Sequence, residues 1–479
     1  MKRIKRTISV LLCIVLLCGT MGTGASALQA DDAWKQYYTD YMNEGSAVLM
    51  NPGADETQRN FSWYSPLDAG TARVLVSENE DMSDARTYKG TFVETPEGDR
   101  SNKVTVTGLW PGKTYWYQCV TDKGATAVAS FSTVKGSDFT AMYTTDIHIS
   151  SGDLYEDGTS KLTDHAYTYS EVLNAAADKA ELDLIISAGD QATLGYRCEY
   201  MSLTAAPLMH STPFATCPGN HDRKGIAYKY FTNNPNEYKK ALVTPFISYD
   251  YYYVKGDVLF MVFDSNCASM TDHRKFIKNA LKENPDVKWR VASFHHDLYG
   301  NRIPHRESEN GLLRTVWAPI IDEFKFDLVL LGHSHYYTLS NAVFAGKTNQ
   351  SLVGMDSVTD PKGAIVMVSG SVNHPRAYDP ADEPPVGENI AYSYLTTDVI
   401  YNLIDFSADS ITIRSYELGK DDPFHTFTIN KTSQLGGHPQ NGRDFYDGFV
   451  RLIADIYGFF NELVTTIGLK LDWNSFVGK

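Results

Sequence analysis

The strongest constraint in this chain is a rhythm. After Gly136 six apolar runs of four to six residues recur, and five of them stop at a short cluster of His, Asp, Asn or Gly. Phe139 to Tyr143 leads to Asp146-Ile147-His148, and Leu182 to Ile186 leads to Gly189-Asp190-Gln191. Pro213 to Thr216 leads to Gly219-Asn220-His221-Asp222. Trp289 to Phe294 ends at His295-His296, and Leu328 to Leu331 runs into Gly332-His333-Ser334-His335. The sixth run is Val258 to Phe263. Runs this short read as buried strands, and helical stretches lie between them; Tyr167 to Leu182 places Val172, Leu173 and Ala176 at helical spacing. Strands alternating with helices predict an α/β domain with layered sheets. Ala364 to Ser369, Ser393 to Ile404 and Ser410 to Tyr416 read as further strands completing it. In open α/β sheets the carboxyl ends of the strands face one crevice, so the polar clusters are expected to meet there.

Carboxylates and imidazoles without thiolates suit Zn, Mn or Fe. The ligands outnumber what one ion with an open position accepts, which favours two ions about 4 Å apart bridged by a carboxylate. Asp-x-His and His-x-His each put two ligands on one side of an extended segment. The glycines beside them allow a tight turn that aims the ligand inward.

Upstream, short strands broken by turn residues run from Val48 to Val134 and predict a small β-sandwich. Leu109, Pro111-Gly112, Tyr115 and Tyr117, closing with Phe131-Ser132-Thr133, resemble a fibronectin type III module. Residues 1–27 have the order of a secretory signal: Lys2, Arg3, Lys5 and Arg6, an apolar run from Ile8 to Leu17, then Ala25-Ser26-Ala27. Export permits disulfides, but Cys119, Cys198, Cys217 and Cys267 allow three pairings, and Cys217 in an apolar run reads as a buried free thiol. Residues 432–443 read as a linker. Residues 444–479 read as an amphipathic helix, with Phe449, Leu452, Ile453, Ile456, Phe459, Phe460, Leu463, Val464 and Ile467 at helical spacing, packed on the body or on a surface partner. Asp and Glu exceed Lys and Arg by 58 to 43, which argues against a nucleic acid polymer as partner.

The ordered set of Asp-x-His, Gly-Asp, Gly-Asn-His-Asp, a strand-end His and Gly-His-x-His resembles the calcineurin-like metallophosphoesterase superfamily. With the β-module and the closing stretch Asp422 to Ile429, the chain is most similar to its purple acid phosphatase branch, over roughly Val48 to Asn430. The resemblance implies an α/β fold: a layered β-sheet metallophosphoesterase domain flanked by helices over 137–431, preceded by a small all-β sandwich over 44–135. It implies one metal held by Asp146, His148, Asp190 and His335. The second is held by Asp190, Asn220, His295 and His333, with His296 the alternative to His295. His221 faces the phosphate, Asp222 orients His221, and His305 stands near the place of a leaving-group acid. Arg223 and Arg302 are candidate phosphate contacts, and Tyr299, Tyr336 and Tyr337 candidates for the mouth. Thr193 occupies the place of the tyrosine that colours the purple enzymes, so the implied relative is not purple, with Fe, Mn or Zn as its two ions. The implied activity is hydrolysis of a small phosphate ester by a metal-bound hydroxide. A phosphodiesterase, or a surface-binding protein with a vestigial metal domain, are the alternatives.

Overall fold

The computed structural model describes residues 27–45, 47–243, 245–300, 307–374, 387–439 and 446–466. The secretory-type segment before Ala27, together with Arg302 and His305, falls outside these residues.

Two seven-stranded sheets face each other. The first runs, edge to edge, Phe214–Thr216, Leu184–Ser187, Phe139–Thr144, Ile400–Phe406, Ser410–Glu417, His425–Asn430 and Ser357–Thr359. Its first three strands are parallel, and Ile400–Phe406 joins Phe139–Thr144 antiparallel. The second runs Tyr251–Lys255, Val258–Val262, Trp289–Ser293, Leu328–Leu331, Ile365–Val368, Tyr337–Ser340 and Ile390–Tyr394, with a parallel centre from Val258–Val262 to Ile365–Val368.

Side-chain alternation along each strand builds three apolar layers. Tyr143, Ile186, Val291 and Leu330 point into the core between the sheets. Met142 and Ile185 point out under the helix Leu162–Ala177, while Ala292 and Val329 point out under Met270–Glu283 and Glu307–Phe324. The result is helices, sheet, sheet, helices, as the short doubly buried runs predict.

Two elements differ from expectation. Ser393 to Ile404 is not one strand: Ile390–Tyr394 belongs to the second sheet and Ile400–Phe406 to the first. The stretch between them, with Thr396-Thr397-Asp398 at its centre, breaks the apolar pattern and carries the chain from one sheet to the other. The expected helix from Tyr167 begins earlier, at Leu162, because its polar first turn is buried: Asp164 accepts the Ala30 amide at 3.0 Å. That contact comes with a helix not anticipated, Asp32–Glu44, held by Trp34, Tyr37 and Tyr41 against Thr163, Ala205 and Thr204.

The N-terminal all-β region pairs Leu49–Pro52, Arg59–Pro66, Asp99–Val106 and Thr91–Glu94 in one sheet. Arg73–Ser77 and Thr114–Thr121 centre the other, and Phe61, Trp63, Val74, Tyr115 and Phe131 fill the space between. Cys119, Cys198, Cys217 and Cys267 are free thiols, so none of the three pairings forms, and Cys217 is buried as expected.

Candidate metal centre

Five polar clusters converge because the five strands that carry them end at one edge of the two facing sheets. Reaching inward from that edge is costly for the backbone. Asp146, His148, Asp190, His333 and His335 all lie in the left-handed region, with φ between 50° and 71°. L-residues avoid this region, at a cost of roughly 1–3 kcal/mol each, unless their surroundings over-determine it. Here the backbones are pinned: Asp146 N donates to Gly189 O at 2.9 Å, His148 N to Asp190 O at 2.9 Å, and His333 N to Asp146 Oδ2 at 2.8 Å. Ser371 Oγ closes on Asp146 O at 2.6 Å. Gly189 turns the chain at φ 99°, while Gly332 and Gly219 serve space. A Cβ on Gly332 would stand 1.9 Å from Thr145 Oγ1, and one on Gly219 would stand 2.0 Å from Asp190 Oδ1.

Two trios result. Asp146 Oδ1 lies 3.1 Å from His335 Nε2 and 3.7 Å from His148 Nε2, and the two imidazole nitrogens are 3.2 Å apart. Asp190 Oδ2 lies 3.2 Å from His295 Nε2, which is 3.2 Å from His333 Nδ1 and 3.0 Å from Asn220 Oδ1. Asp190 Oδ2 also lies 3.7 Å from His148 Nε2, so one carboxylate joins the trios. All seven residues the metal reading named are therefore brought together. His295 rather than His296 enters the cluster: neighbouring side chains diverge, and His296 Nδ1 turns to Ser265 Oγ at 2.8 Å.

The outer hydrogen bonds fit this set to metal ions. His295 Nδ1 donates to Ala188 O and His335 Nδ1 to His374 O, both at 2.9 Å, leaving each Nε2 with its lone pair directed inward. Buried nitrogen lone pairs about 3.2 Å apart repel unless a cation stands among them. In the metal-free chain a proton takes that place on His295. Burial opposes its charge, but Asp190 and Asp146 outweigh burial and hold its pKa up at about 9. His148 is driven the other way, well below the usual range, by burial and by the neighbouring His335 and His221 against the pull of Asp190.

Three expected roles are corrected. Asp222 does not orient His221: its carboxylate accepts from Tyr200 Oη at 2.6 Å, Gly219 N at 2.8 Å and Ala192 N at 3.2 Å, tying the Asp190 and Asn220 loops together. Burial and the nearby Asp190 raise its pKa to about 7. Arg223 is no phosphate contact, because its Nη1 is taken by Glu462 Oε1 at 2.8 Å in a buried pair. The cation beside His221 is the next residue, exposed Lys224, with Nζ 2.8 Å from His221 Nδ1. Tyr299, Tyr336 and Tyr337 do not line a mouth but are buried in the packing.

Sequence reasoning missed a neighbouring cluster. His374 Nε2 lies 3.0 Å and His165 Nε2 3.6 Å from Asp153 Oδ2, and the His374 ring stands 5.0 Å from that of His148. His374 follows the strand Ile365–Val368 in Ser371-Val372-Asn373-His374, so the strand-end rule would have found it. The cluster resembles a ligand set but is not built like one. The Ser150 amide donates to His165 Nδ1 at 3.0 Å, which puts the ring proton on Nε2 and removes the lone pair a metal needs.

Comparison with known proteins agrees with this geometry. Residues 139–337 match the calcineurin-like phosphoesterase family, and residues 46–133 match the purple acid phosphatase N-terminal domain. No curated protein matches the chain. Among solved structures, the chain is similar to the purple acid phosphatase PPD1 from yellow lupin (Lupinus luteus) seeds, with 13% identity and a TM-score of 0.64 over 80% of this chain and 74% of that one. It is also similar to PhoD, with 13% identity and a TM-score of 0.53 over 88% of this chain and 98% of that one. At such identities the likeness speaks for the fold. The family matches carry the chemistry: residues 139–337 form a calcineurin-like phosphoesterase domain preceded by a purple acid phosphatase N-terminal domain, which makes the protein a phosphatase-type hydrolase.

Proposed function

We propose that this protein is an exported phosphomonoesterase that holds two transition-metal ions and hydrolyses small phosphate esters. One observation carries the reading: the ligand atoms of Asp146, His148 and His335, and those of Asp190, His295 and His333, form two groups each within 4.8 Å, and Asp190 also lies 3.7 Å from His148. Asp146, His148, His335 and Asp190 would hold one ion, and Asp190, Asn220, His295 and His333 the other. Such ions supply Lewis acidity toward the phosphoryl oxygens and a nucleophile at neutral pH. The chain's own residues do the rest. His221, whose amide donates to Asp190 Oδ1 at 2.7 Å, sets its ring edge-on to His148 at 4.7 Å and presents it with Lys224 to the phosphate. Asp222 keeps the two loops in register. Thr193 gives the site no phenolate, so the loaded protein is colourless or pale rather than purple. The basic and apolar order of residues 1–27 supports export.

The test is elemental mass spectrometry with turnover on one sample. Two metals per chain and faster hydrolysis of p-nitrophenyl phosphate than of bis(p-nitrophenyl) phosphate are expected, and both should fall in His333→Ala. Preference for the diester moves the reading to a phosphodiesterase. A folded, metal-replete and inactive protein leaves a surface-binding one.

A further inference from the structure

The C-terminal helix Tyr446–Thr466 is mounted inside out. Its polar and small residues face the body: Ala454, Gly458 and Glu462 are buried, four residues apart along one side. Glu462 takes Arg223 with one oxygen and the Phe246 amide, at 2.7 Å, with the other. Asp455 accepts the Thr271 amide at 2.9 Å and so caps the first turn of Met270–Glu283. At Gly458 the helix backbone comes close enough that a Cβ would stand 2.9 Å from Ser269 N. The described carboxylates on that face, Asp455 and Glu462, are both satisfied, so the mounting is specific.

The apolar side faces outward. Leu452, Ile453, Ile456, Phe459, Phe460 and Leu463 are each 45–56% exposed. At about 100° per residue they fall within an arc of about 120°. Half of a large apolar side chain amounts to about 100 Å², so the six leave roughly 600 Å² uncovered. That reaches the top of the roughly 300–600 Å² range of the largest apolar patch on a typical monomer, and it approaches the roughly 800 Å² each partner gives to a standard interface.

The geometry points to a second copy of this chain as the occupant, paired stripe to stripe across a twofold axis. Ile453, Ile456, Phe460 and Leu463 recur at intervals of three, four and three, the seam by which one helix seats its side chains between those of another. A stripe that pairs with itself meets the requirement of an isologous interface. Charge does not oppose the contact, because Asp455 and Glu462 are turned to the body and none of the six outward positions is charged. A bilayer fits less well. Helices that lie on membranes carry Lys and Arg around the apolar face, whereas Arg451 is the one basic residue of this helix and the chain has a formal charge of −15.

Sedimentation velocity on the purified chain without detergent tests this. The chain is expected at twice its mass at micromolar concentration, and Ile456→Glu/Phe460→Glu at the single mass with unchanged circular dichroism and phosphatase activity. Mixing that variant with Ile456→Lys/Phe460→Lys should restore the doubled mass, since opposite charges then face across the seam. The inference is overturned if the unaltered chain stays at the single mass up to 100 µM (about the top of the useful range), or if the Glu variant remains doubled. Single-mass chain that co-sediments with phosphatidylcholine–phosphatidylglycerol vesicles overturns it in favour of a lipid surface.

Discussion

Two His–Asp clusters stand side by side in this protein, and only one is built for metal. In the centre around Asp190, His295 and His335 donate from Nδ1 to backbone carbonyls and turn Nε2 inward toward Asp190 and Asp146. In the cluster around Asp153, His165 Nδ1 accepts a hydrogen bond from the Ser150 amide, so the ring proton stays on Nε2. Residue types and separations of 3–4 Å are much alike, although Asp153 and His374 are less buried than the residues of the centre. The difference lies one bond further out, in whether the backbone offers oxygen or N–H. A ligand set is therefore a property of the hydrogen bonds behind the ligands as much as of the ligands.

The largest effect is expected at Asp190, whose carboxylate lies beside both His148 and His295. Asp190→Asn should remove most bound metal and cut turnover by at least about 10²–10³-fold, read by elemental analysis and p-nitrophenyl phosphate hydrolysis. Proton competition sharpens the comparison further. With His295 protonated up to about pH 9 in the metal-free chain, metal uptake should release a proton, and affinity should weaken about tenfold per pH unit below that value. Titration calorimetry in buffers of different ionisation enthalpy would reveal the proton; pH-independent affinity would count against His295 as a ligand.

A third histidine shows the opposite extreme. His273 sits 2.6 Å from Asp250 and 2.8 Å from Cys267 O, donating from both nitrogens. Burial works against its charge, but Asp250 outweighs burial and lifts the pKa to about 8. A raised folded-state value means stabilisation that is complete below the unfolded value near 6.5 and is lost as pH rises through about 8. The pair should therefore contribute about 2 kcal/mol at pH 6. Urea unfolding of the parent and Asp250→Asn should differ by that much at pH 6 and converge by pH 9. The smallest effect is expected at the neighbouring cluster, where Asp153→Ala should leave metal stoichiometry unchanged. Loss of an ion there would show that the Ser150 amide does not fix the tautomer of His165.

Much of the centre was legible because strand ends are local events. A short apolar run followed by Gly-Asn-His-Asp or Gly-His-Ser-His announces both the strand and the ligand, and the six runs after Gly136 became strands at nearly the expected bounds. The failures were long-range. Arg223 and Lys224 are adjacent, and nothing in the sequence says that the first will meet a glutamate 239 positions later while the second stays by His221. Asp222 invited a role toward the histidine before it, yet its acceptors are the Tyr200 hydroxyl and the Gly219 and Ala192 amides.

The sequence by itself determined the period of the strands, the chemistry of the ligands and the amphipathic pattern of the last helix, because each depends on residues within a few positions of one another. Tertiary structure decided which of His295 and His296 turns inward, which nitrogen of each imidazole faces the centre, and which side of the last helix meets the body. Those outcomes depend on carbonyls, amides and charges brought together from distant segments. Hydrophobic spacing could name the two sides of that helix, but only Arg223, Phe246 and Thr271 could select the polar one.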